Sequence, residues 1–261
     1  MTAPILVTGG TGTIGRRVVP LLRNAGQDVR VLSRRGGLDE PGLTHVEGDT
    51  VAGRGLAEAL EHVDVVLHLA GGAKGDDTAA GNLAAAAHDA GVRHLILISV
   101  VGADTMPIGY FRAKADAERA IAGSGVPWTV LRAAQLHEFV LPVVRGMATL
   151  PLLPLPGGLR FEPMHVDEVA ARLAELALGS PSGRVADIAG PDVLDVRQLA
   201  DAYVEAMGKR RRRGVPVRIP GAAGRAYRAG DNLAGASVQR GERSWSDFLA
   251  ELTASTAGVL R

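Results

Sequence analysis

The glycine-rich segment Thr8-Gly9-Gly10-Thr11-Gly12-Thr13-Ile14-Gly15, set directly behind the apolar run Ile5-Leu6-Val7, constrains this chain more than any other stretch. The apolar run is too short for a helix and reads as a buried strand, whereas Ile14, Val18, Val19, Leu21 and Leu22 recur at helical spacing. The glycines therefore occupy a strand-to-helix turn. The first turn of a helix leaves backbone N–H groups unpaired and carries a partial positive charge, which suits a pyrophosphate. Glycine there permits the tight turn, the approach of a phosphate with no Cβ in the way, and close packing of helix on strand. Gly9, Gly12 and Gly15 meet those needs in the spacing G-x-x-G-x-x-G, with Thr11, Thr13 and Ile14 completing the expected cradle.

A second strand over 28–33 follows the helix-ending Gly26 and completes a βαβ unit, which raises the glycine turn from an ordinary loop to a dinucleotide site. The end of that strand selects the cofactor. An acidic residue there would hold the ribose 2′-hydroxyl of NAD, whereas arginine accommodates the 2′-phosphate of NADP. The positions are Ser33, Arg34 and Arg35. Two guanidiniums and a hydroxyl, with no carboxylate, point to NADP(H) in preference to NAD(H).

Further along, strand and helix keep alternating. A short strand over 44–47 ends at Asp49, which either approaches an adenine or caps a turn. A helix over 56–60 leads to a buried strand over 64–69 that ends in Ala70-Gly71-Gly72, small residues over which a cofactor can lie. A helix from about 77 to 90 stops at Gly91, and a fifth strand over 93–99 ends at Ser99. This alternation predicts an α/β fold with a doubly wound parallel sheet.

A helix then carries Tyr110 and Lys114, four residues apart and so on one face. A phenol exchanges protons poorly at neutral pH unless a nearby ammonium stabilises its ionised form. Lys114 is expected to lower the Tyr110 pKa and to bond the cofactor ribose, and Ser99 to orient a substrate carbonyl beside Tyr110. The bland alternative for Lys114 is a surface lysine paired with Glu118.

With 261 residues, 46% of them hydrophobic, the chain can bury one substantial α/β core with a small appended lobe. Its net charge of +1 gives no global field for nucleic acid or acidic membranes, and the basic run Lys209 to Arg213 reads as a solvated turn before a strand over 215–219. There is no cysteine, so disulfides, thiol catalysis and cysteine metal sites are excluded, and the histidines form no ligand cluster. Residues 1–4 run into the first strand without a leader pattern, and no apolar run reaches membrane-spanning length, so a cytoplasmic protein, monomer or homodimer, is expected.

Beyond the sixth strand, 128–132, an apolar helix to Met147 precedes the proline-leucine stretch 150–158. That stretch reads as irregular, either lining a pocket for a greasy substrate or connecting to the C-terminal lobe. His137 reads as a loop histidine that is a candidate for the pocket. Asp167 suits the N-cap of a helix over 168–178. A short strand over 184–188 and a helix over 196–207 follow, and Trp245, Phe248 and Leu249 share a packing face near the end.

The glycine turn, Leu97-Ile98-Ser99-Val100-Val101-Gly102, Tyr110 to Glu118, and Trp128-Thr129-Val130-Leu131-Arg132 together resemble the atypical short-chain dehydrogenase/reductases. The resemblance is greatest to the NmrA-like NAD(P)H-binding branch, which includes quinone reductases. It implies a Rossmann core over residues 1–134, with 135–261 completing the sheet and forming a small substrate lobe. The expected activity is NADPH-dependent reduction of a quinone or other apolar carbonyl compound. A non-enzymatic NADP(H)-binding redox sensor acting through a protein partner, or a biosynthetic enzyme without net redox change, would keep the same fold. Arg132 is followed by Ala133 where relatives often carry proline, which leaves open how the loop beside the nicotinamide is set.

Overall fold

The computed structural model describes residues 3–72 and 75–259, so Met1 and Thr2, at the start of the segment leading into the first strand, lie outside it. The first half alternates β1 (Ile5–Thr8), α1 (Gly15–Asn24), β2 (Val29–Ser33), β3 (Leu43–Glu47), α2 (Leu56–Ala59), β4 (Val65–His68), α3 (Asp76–Asp89), β5 (His94–Val100), α4 (Gly109–Ala122) and β6 (Trp128–Ala133). The rest adds α5 (His137–Ala148), β7 (Leu153–Pro156), β8 (Arg160–Phe161), α6 (Val166–Leu178), β9 (Gly183–Arg184), β10 (Asp187–Ala189) and β11 (Leu194–Asp195). It ends with α7 (Val196–Ala206), β12 (Gly214–Val217), α8 (Gly221–Ala229), β13 (Val238–Arg240) and α9 (Trp245–Val259).

The main sheet has nine strands in the order β13-β10-β6-β5-β4-β1-β2-β3, with β9 beside β6. All its pairings are parallel, as expected from the alternation of strand and helix. A parallel sheet is covered on both faces, so its strands bury both sets of side chains. Ile5 and Val7 enter one apolar cluster with Val18 and Leu22 of α1 and Val169 and Leu173 of α6. Leu6 enters the other, with Leu83 of α3 and Ile121 of α4. Each such side chain contributes roughly 1.5–3 kcal/mol by leaving water. A third cluster joins Val144, Leu153, Leu199, Tyr203, Trp245 and Leu249 from α5, β7, α7 and α9.

Several local expectations change. The proline-leucine stretch is not irregular: Leu153 to Pro156 form β7, parallel to β12. Alternate residues of a strand direct their N–H groups to opposite sides. Leu153 donates to the Arg213 carbonyl at 3.0 Å, so Pro154 and Pro156 present their missing donors to the other side. The stretch 184–188 is not one strand but parts of β9 and β10. α6 begins at Val166, and His165, rather than Asp167, is its N-cap, its Nδ1 accepting the Asp167 N–H. Asp167 instead pairs with Arg17 at 3.3 Å and Arg243 at 3.0 Å. His137 is not a loop residue; it opens α5, fully buried against Trp245 and Phe248. The basic run 209–213 is exposed. Among the described residues no helix is long and apolar enough to cross a membrane, and no cluster of His, Asp and Glu could hold a metal ion.

Candidate active site

Strand order reverses between β1 and β4, and a cleft of about 380 Å³ opens at their C-terminal ends, where open α/β sheets bind ligands. Of the sequence-derived candidates, Gly9, Thr11, Gly12, Ser33, Arg34, Asp49, Ala70, Gly71 and Gly72 line it. Thr13, Ile14, Gly15 and Arg35 stand outside its wall, as do Ser99, Tyr110 and Lys114.

The three glycines differ in what they make possible. Gly9 has φ +72°, and a Cβ on it would come within 2.6 Å of the Ala70 nitrogen. A Cβ on Gly15 would lie 2.3 Å from the Gly9 carbonyl oxygen, so glycine lets α1 close onto the turn. A Cβ on Gly12 would meet only that oxygen, at 3.2 Å, so glycine keeps the cleft side clear rather than relieving a clash. Just ahead of α1, Thr13 and Ile14 donate no backbone hydrogen bond within the described residues, and Ile14 caps the helix with no side-chain bond. Free N–H groups at a helix start beside a glycine-lined opening fit a pyrophosphate.

At the end of β2 the Ser33 hydroxyl donates to the Gly36 carbonyl at 2.8 Å. Arg34 and Arg35 are exposed and make no ion pair or hydrogen bond with the described residues, so both guanidiniums keep their full donor capacity. Asp49 Oδ1 accepts the Val51 and Ala52 N–H groups at 2.9 and 3.1 Å, so this carboxylate caps its turn while standing on the cleft wall.

The Tyr110–Lys114 pairing does not take the expected form. Lys114 is buried, and its ammonium lies 2.9 Å from Asp76 Oδ2 at the start of α3. Its charge is compensated there and does not acidify the phenol. Partial burial and the Asp76 carboxylate instead raise the Tyr110 pKa above its usual value. Tyr110 is 41% exposed. Nor does Lys114 pair with Glu118. Glu118 and Asp104 grip Arg132 at 2.7 and 2.8 Å, which ties β6 to α4 and to the loop after β5. The strand carrying Ser99 runs one residue further than expected, to Val100. Ser99 is buried, and its hydroxyl bonds neither Tyr110 nor Lys114 nor any other described group.

Sequence reasoning missed Asp76, His68 and Thr8. Thr8 Oγ1 lies 2.6 Å from His68 Nδ1 and accepts the Ala70 N–H at 3.3 Å. Burial, then the Lys114 charge, lowers the His68 pKa to about 4, so its imidazole is neutral at pH 7. The available signal was polar residues closing apolar strands and an acid opening a helix behind two glycines.

Residues 9–142 match the family model described as NAD(P)H-binding. The chain is 31% identical over 212 residues to a (4-alkanoyl-5-oxo-2,5-dihydrofuran-3-yl)methyl phosphate reductase of Streptomyces griseus subsp. griseus, covering 78% of this chain and 74% of that one. It is 26% identical over 214 residues to quinone oxidoreductase 2 of Escherichia coli, covering 78% and 75%. A crystal structure of an NADPH-dependent quinone oxidoreductase from Escherichia coli superposes with a TM-score of 0.77 at 19% identity, over 95% of this chain and 99% of that one, a likeness of fold. The chain belongs to the NAD(P)H-binding family of atypical short-chain dehydrogenase/reductase fold and is an NAD(P)H-dependent oxidoreductase.

Proposed function

We propose that this oxidoreductase uses NADPH in preference to NADH and reduces a quinone or another apolar conjugated carbonyl compound. The cofactor preference rests on Arg34 and Arg35, two guanidiniums with no partner among the described residues at the end of β2 and no carboxylate between them to repel a phosphate. Gly9, Gly12 and Gly15, with Thr11, Thr13 and Ile14, would seat the pyrophosphate. Asp49 would flank the adenine side, and Ala70, Gly71 and Gly72 would let the cofactor cross the end of β4. Nicotinamide, when bound, supplies the hydride.

The substrate class rests on one observation: the Lys114 ammonium is turned to Asp76, 2.9 Å away, so it does not acidify the Tyr110 phenol, whose pKa burial raises. A simple ketone needs a proton delivered to its oxygen as hydride arrives. A quinone takes hydride into a conjugated ring and leaves a stabilised anion that solvent can protonate. Tyr110, half in solvent at the start of α4, would serve as a proton donor whose loss is tolerated, and Ser99 would offer its free hydroxyl to the substrate oxygen. The reductases of Streptomyces griseus and Escherichia coli named above both act on acceptors with carbonyl groups, by their names.

The deciding assay is loss of nicotinamide absorbance on adding quinones, ketones and aldehydes to the protein with NADPH or NADH. Quinone-stimulated NADPH oxidation that survives Tyr110→Phe within about threefold is expected. Near-total loss in that variant would overturn the quinone reading in favour of a phenol-dependent carbonyl reduction. NADPH binding without turnover on any acceptor would favour a redox sensor or a non-redox enzyme.

A further inference from the structure

Behind the cleft lies a layer of buried polar side chains. Leu6, Val66 and Leu97 all face the cluster under α3 and α4. The strand pleat therefore directs Thr8, His68 and Ser99, each two residues further on, to that same face at the cleft end of the sheet. Asp76 from α3 and Lys114 from α4 close the layer.

We propose that Asp76 is a positioning residue of the cofactor site: it holds the Lys114 ammonium just behind the cleft wall, under Gly71, so that an ion pair rather than a lone ammonium meets the ribose hydroxyls. The inference rests on reading this cleft as the seat of the cofactor. The side chains of Lys114 and Asp76 are only 9% and 5% exposed, so neither charge is screened by bulk water. Asp76 Oδ1 takes the Gly72 N–H at 2.7 Å, which ties the end of β4 to the carboxylate. A Cβ on Gly71 would stand 2.9 Å from the Lys114 nitrogen, so glycine at that position makes room for the ammonium as well as for a cofactor. Asp76 itself lines the cleft, and its Oδ2 makes no hydrogen bond beyond the ion pair among the described residues.

A vicinal diol matches this pair. One hydroxyl donates to the carboxylate, the other accepts from the ammonium, and the pair stays neutral throughout. The titratable groups facing the pair are His68 from β4 and Tyr110 from α4. His68 is neutral, and burial, with the Asp76 carboxylate added to it, raises the Tyr110 pKa.

The test is a double-mutant cycle on the full chain, reading NADPH dissociation constants for the wild type, Asp76→Asn, Lys114→Met and the double variant. Each single change should weaken NADPH about tenfold, and the double should be no weaker than the worse single, because the pair acts as a unit. A second readout is Tyr110 ionisation, taken as the phenolate absorbance that each protein has and its Tyr110→Phe counterpart lacks. In Asp76→Asn it should move to lower pH as the ammonium loses its partner. Wild-type affinity in Asp76→Asn with weakened Lys114→Met, or an unmoved Tyr110 titration, would overturn the proposal. Should Lys114→Met fail to fold, Asp76→Asn against wild type still decides by both readouts. A wild-type protein that does not bind NADPH would instead overturn the reading of the cleft, and the proposal with it.

Discussion

At Gly15 a Cβ would run into the backbone of Gly9 and Gly10, at 2.3 and 2.5 Å, and backbone cannot swing aside as a side-chain tip can. Gly15→Ala must therefore push α1 off the turn, at a cost of about 1–3 kcal/mol typical of overpacking. Gly12→Ala meets a single oxygen at 3.2 Å and should leave thermal stability nearly unchanged while weakening NADPH, because its methyl enters the cleft side. Melting temperature and NADPH titration on both variants separate packing from binding; equal destabilisation by the two would contradict these roles. The glycines were legible because their reasons are local to the turn. Asp76 was not, because its meaning depends on the lysine it meets from another helix. Burial first, and the Asp76 carboxylate after it, reversed the expected shift of the Tyr110 phenol.

Among the elements, much of the first half was legible because β1, β4 and β5 are apolar runs and α1 and α3 end in glycine turns at Gly26 and Gly91, with φ of +78° and +69°. The second half was harder. β7 carries prolines that argue against a strand until the side facing β12 is known, and β13, only three residues long, owes its place to β10 rather than to its own pattern. Trp245 on α9 was read as packing, and there it is 2% exposed, its indole N–H donating to the Leu199 carbonyl of α7 at 3.1 Å. Trp245→Ala should cost about 3–5 kcal/mol in urea unfolding, from lost burial and the cavity left behind. Trp245→Phe should cost less, keeping the ring contacts but losing the indole donor to the Leu199 carbonyl. Equal losses in the two variants would place the energy in that hydrogen bond instead of in the packing of α9.

For the molecule as a whole, two buried imidazoles set how stability follows pH. Burial, the largest cause in each, lowers both His68 and His137 to about 4, against about 6.5 in an unfolded chain. Between those values the unfolded state binds protons that the folded state refuses. The stability each contributes is therefore complete above pH 6.5 and is lost as pH falls toward 4, by roughly 3 kcal/mol apiece. His94 shifts in the same direction through burial. Glu138 works against them, since burial raises its pKa and acid relieves that penalty. With two imidazoles dominant, the unfolding free energy should fall by roughly 2–3 kcal/mol per pH unit near pH 5. His137 packs on Trp245 and Phe248, with ring centroids 5.6 and 5.0 Å away, so phenylalanine fits its site. His137→Phe should keep the fold and about halve the slope in denaturant titrations between pH 7 and 5. An unchanged slope would mean that His137 takes up its proton inside the folded protein, and that the aromatic cluster around it opens to water before the sheet does.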